Sequence, residues 1–161
     1  MLISESLRSS LLEQWIEEKE NSQFYLYIGG WLKNGGYDNL GKFFIDASKE
    51  EDEHALMIFN LLTDLNIQFE TNPIGSGVFA ILSIIDIAEK FLSREIQTTQ
   101  SLRDIRDLCS GEESGSSVVE EFIRDMISKQ RSELEEATTF MDKAKVMNEW
   151  KFVMLWDMSL K

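Results

Sequence analysis

The sequence predicts an all-α fold: four long helices with one long connection, then a short fifth helix. Three observations carry this. Apolar residues make up 43% of 161 and recur in steps of three and four, the period of a helix with one buried face. The chain has a single proline, so little interrupts helices of many turns. The periodic segments are bounded by clusters of Gly, Asn and Ser, which favour turns. The length suits one domain, 1–161, with a core of its own.

The first helix is expected over 5–33, with a buried stripe of Leu11, Trp15, Glu18, Ser22, Tyr25, Gly29 and Leu32, and Asn34-Gly35-Gly36 to end it. The second, over 38–65, has the stripe Leu40, Phe44, Ala47, Glu51, His54, Ile58, Leu61 and Leu65. Asn72-Pro73 with Gly75 and Gly77 separates it from a third helix over 78–108, whose stripe is Ile81, Ile85, Ala88, Leu92, Glu95, Thr99 and Leu102. Ser110-Gly111 through Ser117 marks the next break. The fourth helix, 117–146, buries Val119, Ile123, Met126, Gln130, Glu133, Ala137, Phe140 and Ala144. After the polar stretch Asp142 to Glu149, a fifth apolar segment at 150–158 is too apolar for a free tail and marks a contact with another subunit.

Composition narrows the function classes. A net charge of -13 argues against nucleic acid and anionic membrane as partners and favours cations at the surface, though acidic solubility alone also explains it. One cysteine, Cys109, excludes an internal disulfide framework and fits a reducing compartment. Met1 to Leu12 shows neither a basic start nor an apolar core, so no secretory signal is expected. The apolar run Val78 to Ala88 contains Asp86 and is too short to span a bilayer. A cytoplasmic protein is expected.

Each long stripe is interrupted near its middle by polar residues: Glu18, then Glu51 with His54, then Glu95, then Gln130 with Glu133. His54 is the only histidine in the chain. Taken singly, Glu51-x-x-His54 also describes a solvated charge run with one satisfied core histidine. Heights along the bundle tie the interruptions together. In a hairpin about Gly36, Glu18 and His54 each lie 18 residues from the turn, about 27 Å along the axis. A second hairpin about residue 113 sets Glu95 18 and Gln130 17 residues from its turn. The connection 66–77 spans about 40 Å when extended and can run the length of a helix. With that crossover Glu95 lies 17 residues into its helix and His54 16 into its own, whereas a simple up-down loop offsets them by about 9 Å.

Four carboxylates, an imidazole and an amide in one buried layer constrain the chemistry. Uncompensated anions there are costly, so the carboxylates are protonated or hold cations. Two divalent ions would neutralise four carboxylates. Mixed carboxylate and imidazole ligands with open positions suit redox iron or manganese better than zinc.

At these residues the chain resembles a non-haem ferritin of the bacterial type. Leu12-Glu13-Gln14 through Glu18, and Tyr25-Leu26 to Trp31, resemble that family's first helix. Phe43-Phe44, Glu50-Glu51-Asp52-Glu53-His54 and Leu62-Thr63-Asp64 resemble its second. Glu95 with Gln100-Ser101-Leu102 resembles the third, and Ser128-Lys129-Gln130-Arg131-Ser132-Glu133 the fourth. The ligand layout is that of the di-iron carboxylate bundles, with Gln130-x-x-Glu133 in place of a second Glu-x-x-His.

The resemblance implies a ferritin-like four-helix bundle with its long crossover between the second and third helices and a short fifth helix in Trp150–Met158. It further implies a ferroxidase centre taking two Fe per chain, in which Fe(II) is oxidised by O2 and ferric product passes into a homo-oligomeric shell of 24 subunits. Glu51 would bridge two irons, Glu18 and His54 would complete one and Glu95 the other, with Glu133 also among the metal-binding residues. Gln130 would orient bound oxygen or water. Tyr25 is either a hydrogen bonder and electron donor beside the site or a core aromatic. Glu50 and Glu53 would collect product iron, or are ordinary solvated charges.

Departures from the pattern matter too. Lys129 and Ser132 stand where relatives with a third iron site carry acids. Asp52 stands in the place of the haem-ligating Met of bacterioferritin, so no haem is expected. A lone Cys109 cannot build a rubredoxin module, and the motifs of the DNA-protecting mini-ferritins are missing. The competing function is a non-catalytic ferritin-like scaffold or iron-binding partner, which could lose these ligands and gain stability from apolar replacements.

Overall fold

Helix α1 (Glu5–Asn34) begins where the Ser4 hydroxyl accepts a hydrogen bond from the Leu7 amide at 3.1 Å, satisfying one of the orphan donors of a helix start. It ends at Gly36, whose φ of 90° lets the chain turn back: Tyr37 N donates to Leu32 O at 2.9 Å and Gly36 N to Lys33 O at 3.0 Å, the paired closure of a Schellman end. Helix α2 (Asp38–Asp64) ends the same way at Asn66, with φ 57°, where Ile67 N reaches Leu62 O. Helices α3 (Ile84–Cys109), α4 (Ser116–Val146) and α5 (Trp150–Ser159) complete the order. This computed structural model describes residues 3–70, 73–110 and 116–160. Asn72 and most of the expected break from Ser110 to Ser117 lie outside the described residues.

The bundle is two antiparallel hairpins, α1 with α2 and α3 with α4, joined along α1 and α3. The first is tight: a Cβ placed on Gly29 would stand 2.9 Å from Gly41 O, and one on Gly41 2.9 Å from Gly29 O. The connection after α2 climbs along α1. Phe69 packs edge-on against Trp15 with centroids 4.8 Å apart, Gly75 N reaches Glu20 Oε1 at 3.4 Å, and Phe79 O accepts from Tyr27 Oη at 3.1 Å. From Trp15 to Tyr27 that is a rise of about 18 Å, so α2 and α3 run parallel and the crossover is long.

One expectation is corrected. Helix α3 starts at Ile84, not at 78, because Ser83 and Asp86 form a capping box: Ser83 N donates to Asp86 Oδ2 at 2.9 Å and Asp86 N to Ser83 Oγ at 3.3 Å. Residues 78–83 belong to the crossover, and Ile81 is on no helix. Glu95 therefore lies closer to its helix start than His54 does to its own. The argument from equal depths fails, and interhelical contacts set the layer instead.

The core is split in two. An aromatic cluster, with Tyr25, Phe44, Phe91, Phe140 and Trp156, fills one end, and an aliphatic one, with Leu7, Leu11, Ile58, Leu62, Leu102 and Ile123, fills the other. Between them all four long helices present polar side chains.

Candidate metal centre

Three rungs between α1 and α3 hold that polar layer in register. Tyr25 Oη donates to Glu95 Oε1 at 2.5 Å, Asn21 Nδ2 to Thr98 Oγ1 at 2.9 Å and Ser101 Oγ to Glu17 Oε1 at 3.4 Å. Ser22 and Ser48 meet across α1 and α2 at 3.0 Å. The six residues expected in one layer are brought together. His54 Nδ1 lies 3.7 Å from Glu18 Oε2 and 3.4 Å from Glu51 Oε2, and its Nε2 lies 3.3 Å from Glu133 Oε1. Two groups have ligand atoms within 4.8 Å of one another: Glu18, Glu51 and His54; and Glu51, Glu95 and Glu133. Glu51 is common to both.

Several of these atoms are buried without a hydrogen bond: Glu18 Oε2, Glu51 Oε2, His54 Nδ1 and Glu133 Oε2. Native interiors rarely leave polar atoms in that state, and here all four belong to residues of the two ligand groups. The electrostatics agree. Burial opposes ionisation of Glu18, yet the close approach of Glu51 and of the His54 imidazole outweighs it and holds this carboxyl below its ordinary value. Burial and the neighbouring Glu18 charge push Glu51 well up, so the two carboxyls are driven in opposite directions. Burial also raises Glu95, against the hydrogen bonds of Tyr25 and Gln130. Glu133 is pushed up to about 8 by burial, against the attraction of His54. Burial opposes the imidazolium, but Glu18 and Glu133 together raise His54. The upward shifts of Glu51, Glu95 and Glu133 favour their protonated forms, and divalent cations would displace those protons.

Tyr25 and Gln130 hold Glu95. Tyr25 takes one carboxylate oxygen, with its ring edge-on to Phe91 and its own ionisation driven well above the usual tyrosine range by burial and by Glu95. Gln130 Nε2 donates to Glu95 Oε2 at 2.6 Å and to Glu95 O at 3.2 Å. Its amide nitrogen is thus committed to Glu95, a positioning role, where the resemblance implies an oxygen or water partner. Glu50 and Glu53 are exposed. Glu50 sits with Glu136 at the rim of a gap of about 10 Å³ leading to Glu51, Glu95 and Glu133. Lys129, also exposed, lies with its Nζ 3.9 Å from Met57 Sδ.

Sequence reasoning missed a second polar row on α1. Gln14, Glu17 and Asn21 are buried facing α3, and Gln14 Nε2 donates to Glu18 Oε1 at 3.0 Å. The signal was the heptad Leu7, Gln14, Asn21, Ile28, which shares the helix with the stripe through Glu18 but faces another neighbour.

A four-helix bundle whose halves are separated by one layer of carboxylates and a histidine defines a class, the metal-binding bundles of ferritin-like architecture. The family model described as the ferritin-like domain matches residues 10–147, and the chain belongs to that ferritin family. A bacterial non-heme ferritin of Staphylococcus aureus is 22% identical over 107 residues. That match takes in 66% of this chain and 64% of the relative, so the chain spans a little under two thirds of it. A bacterial non-heme ferritin of Staphylococcus epidermidis is 22% identical over 139 residues, 86% of this chain and 81% of the relative. An open pore ferritin from Archaeoglobus fulgidus shares the fold, with a TM-score of 0.88 at 15% identity over 99% of this chain and 98% of that one.

Proposed function

We propose that the chain is a ferroxidase of iron storage: it oxidises Fe(II) with O2 at the buried layer and deposits ferric mineral inside a shell of identical subunits, 24 in number. The observation that carries this reading is the pair of ligand groups sharing Glu51, whose residues carry unpaired buried oxygens and an unpaired imidazole nitrogen. A second support is the name borne by the staphylococcal relatives, bacterial non-heme ferritin. Iron is substrate and cargo here. Glu18 and His54 would hold one ion, Glu95 and Glu133 the other, and Glu51 both. Two adjacent one-electron donors give O2 two electrons in a single encounter. The chain's own part is to fix both ions. Tyr25 and Gln130 orient Glu95, Gln14 orients Glu18, and the aromatic and aliphatic clusters keep bulk water from either end.

A cytoplasmic protein working without haem, nucleic acid or membrane completes the reading. Among the described residues no helix is long and apolar enough to cross a membrane. The test is aerobic Fe(II) addition to apo-protein, followed by sizing with absorbance detection of ferric core. About two Fe(II) per chain are expected to bind and oxidise in a fast phase, as four carboxylates neutralise two divalent ions. His54→Ala and Glu18→Ala should each abolish that phase in a helical, assembled protein. Unchanged fast oxidation in both variants would place the chemistry elsewhere, and tight binding without oxidation in the native chain would favour the scaffold.

A further inference from the structure

We propose, resting on the reading above, that Fe(II) enters the metal layer through the narrow gap between α2, α3 and α4, with Glu136 as the outer carboxylate that takes the ion while it sheds its water. This gap meets the layer directly. One whole ligand group, Glu51, Glu95 and Glu133, lines its inner end, and Glu50 and Glu136 stand at its rim. By contrast, the larger cleft between α1 and α3 is lined by no residue of either ligand group.

The inner end points to a cation independently of the acids at the rim. Glu51 is 2% exposed and its Oε2 has no hydrogen bond, and Glu133 Oε2 is buried in the same state. Both residues line the gap, and buried carboxylate oxygens without donors are ligands for a hard cation. Every charged residue in the lining is an acid, and a low-dielectric space lined by one sign of charge concentrates the opposite ion. Glu136 shares that field. Burial, then the charges of Glu50 and Glu95, raise it above its ordinary value, and no cation among the described residues offsets them.

Size makes the passage a dehydration step. At about 10 Å³ the gap has room for about one water molecule, so an ion inside a full shell of waters stops at the rim. There Glu136 and Glu50, both exposed, each replace a water with a carboxylate oxygen, and Glu133, one turn back along α4, replaces the next. The ion reaches Glu51 with protein oxygens in place of its shell, and the displaced waters return to solvent. Ala47 and Phe91 form the apolar part of the wall, and the small side chain at 47 helps to leave the gap open.

The test uses Co(II), which is redox-inert here, mixed with the full-length apo-protein and followed by the visible absorption of the bound ion. Glu136→Gln keeps the shape of the rim and removes its charge, and is expected to slow arrival roughly tenfold at low salt. Ala47→Leu fills the gap without altering a charge or a ligand. It should slow arrival and release to a chelator alike, with final amplitude and helical content unchanged, because a passage governs both rates and leaves the equilibrium alone. Glu13→Gln, in the cleft between α1 and α3, reports the effect of surface charge in general and should keep the native rate. Native arrival in either the Glu136 or the Ala47 variant would overturn the passage, as would equal slowing by Glu13→Gln. If the native chain takes up no Co(II), the metal-layer reading fails and the passage with it, an outcome separate from full uptake at native speed in the variants.

Discussion

Glu51 shows how a single residue sets the balance between stability and binding. It is 2% exposed, carries an oxygen with no hydrogen bond, and sits between Glu18 and His54. Glu51→Leu should abolish metal binding yet stabilise the apo-protein by about 1–4 kcal/mol, because a poorly compensated carboxyl is exchanged for a side chain that suits the seam. A lower apo melting temperature would count against this. Proton linkage extends the argument. Burial lifts Glu133 from 4.5 to about 8 and Glu17 from 4.5 to about 7, so the folded chain holds protons that the unfolded chain releases. Their contribution is full below pH 4.5 and is lost as pH rises toward 8; the raised His54 has the same sign, its contribution being lost above its folded pKa. The lowered Glu18 has the opposite sign and is lost only in acid. Metal-free protein should therefore melt higher near pH 5.5 than near pH 8, the order should reverse with bound Co(II), and metal uptake at pH 7 should release protons. Thermal scans at the two pH values and a proton-release titration check this.

At the scale of elements, α2 depends on α5. Its N-cap residue, Tyr37, makes no side-chain cap, and Asp157 of α5 supplies one: Leu40 N donates to Asp157 Oδ1 at 2.7 Å, and Asn39 Nδ2 to Asp157 O at 3.0 Å. Asp157→Ala should cost about 1 kcal/mol, the usual worth of a cap, read as an earlier urea midpoint with an unchanged slope. An unchanged midpoint would mean that water serves the α2 start equally well. The same contact adds a role within the subunit to the intersubunit contact expected of α5 from sequence. Val153 and Trp156 are buried against the bundle's own aromatic cluster, while Phe152, Met154, Leu155 and Met158 remain exposed.

At the scale of the molecule, α5 has two faces, one buried against the bundle and one exposed. Truncation after Lys145 looks in sequence like removal of an assembly contact. In the structure it also strips Trp156 and Asp157 from the bundle, so the truncated chain should unfold earlier, by several kcal/mol given the apolar area lost. Leu155→Glu separates the two roles, because Leu155 is 60% exposed and touches neither the cap nor the core. It should leave the melting of the bundle nearly unchanged and reduce the assembly in sedimentation. A full-sized shell in that variant would show that the outer row of α5 makes no intersubunit contact.

The local code determined a great deal. Apolar residues three and four apart prescribe long amphipathic helices whatever they pack against, and Gly36 allows the first turn because its φ is positive. The layer was legible for the same reason: Glu18, Glu51, His54, Glu95, Gln130 and Glu133 interrupt stripes that would otherwise be apolar. What the sequence did not disclose depends on partners distant along the chain. The start of α3 was hidden because the apolar residues 78–82 serve the crossover against α1, although Ser83 and Asp86 spelled the cap. Gln14 and Glu17 were invisible because a helix has several faces, and only the packing of α1 against α3 decides that this one is buried. Asp157 could be known as the cap of α2 only once α5 had docked, since a hydrogen bond spanning 117 residues leaves no periodic trace in either segment.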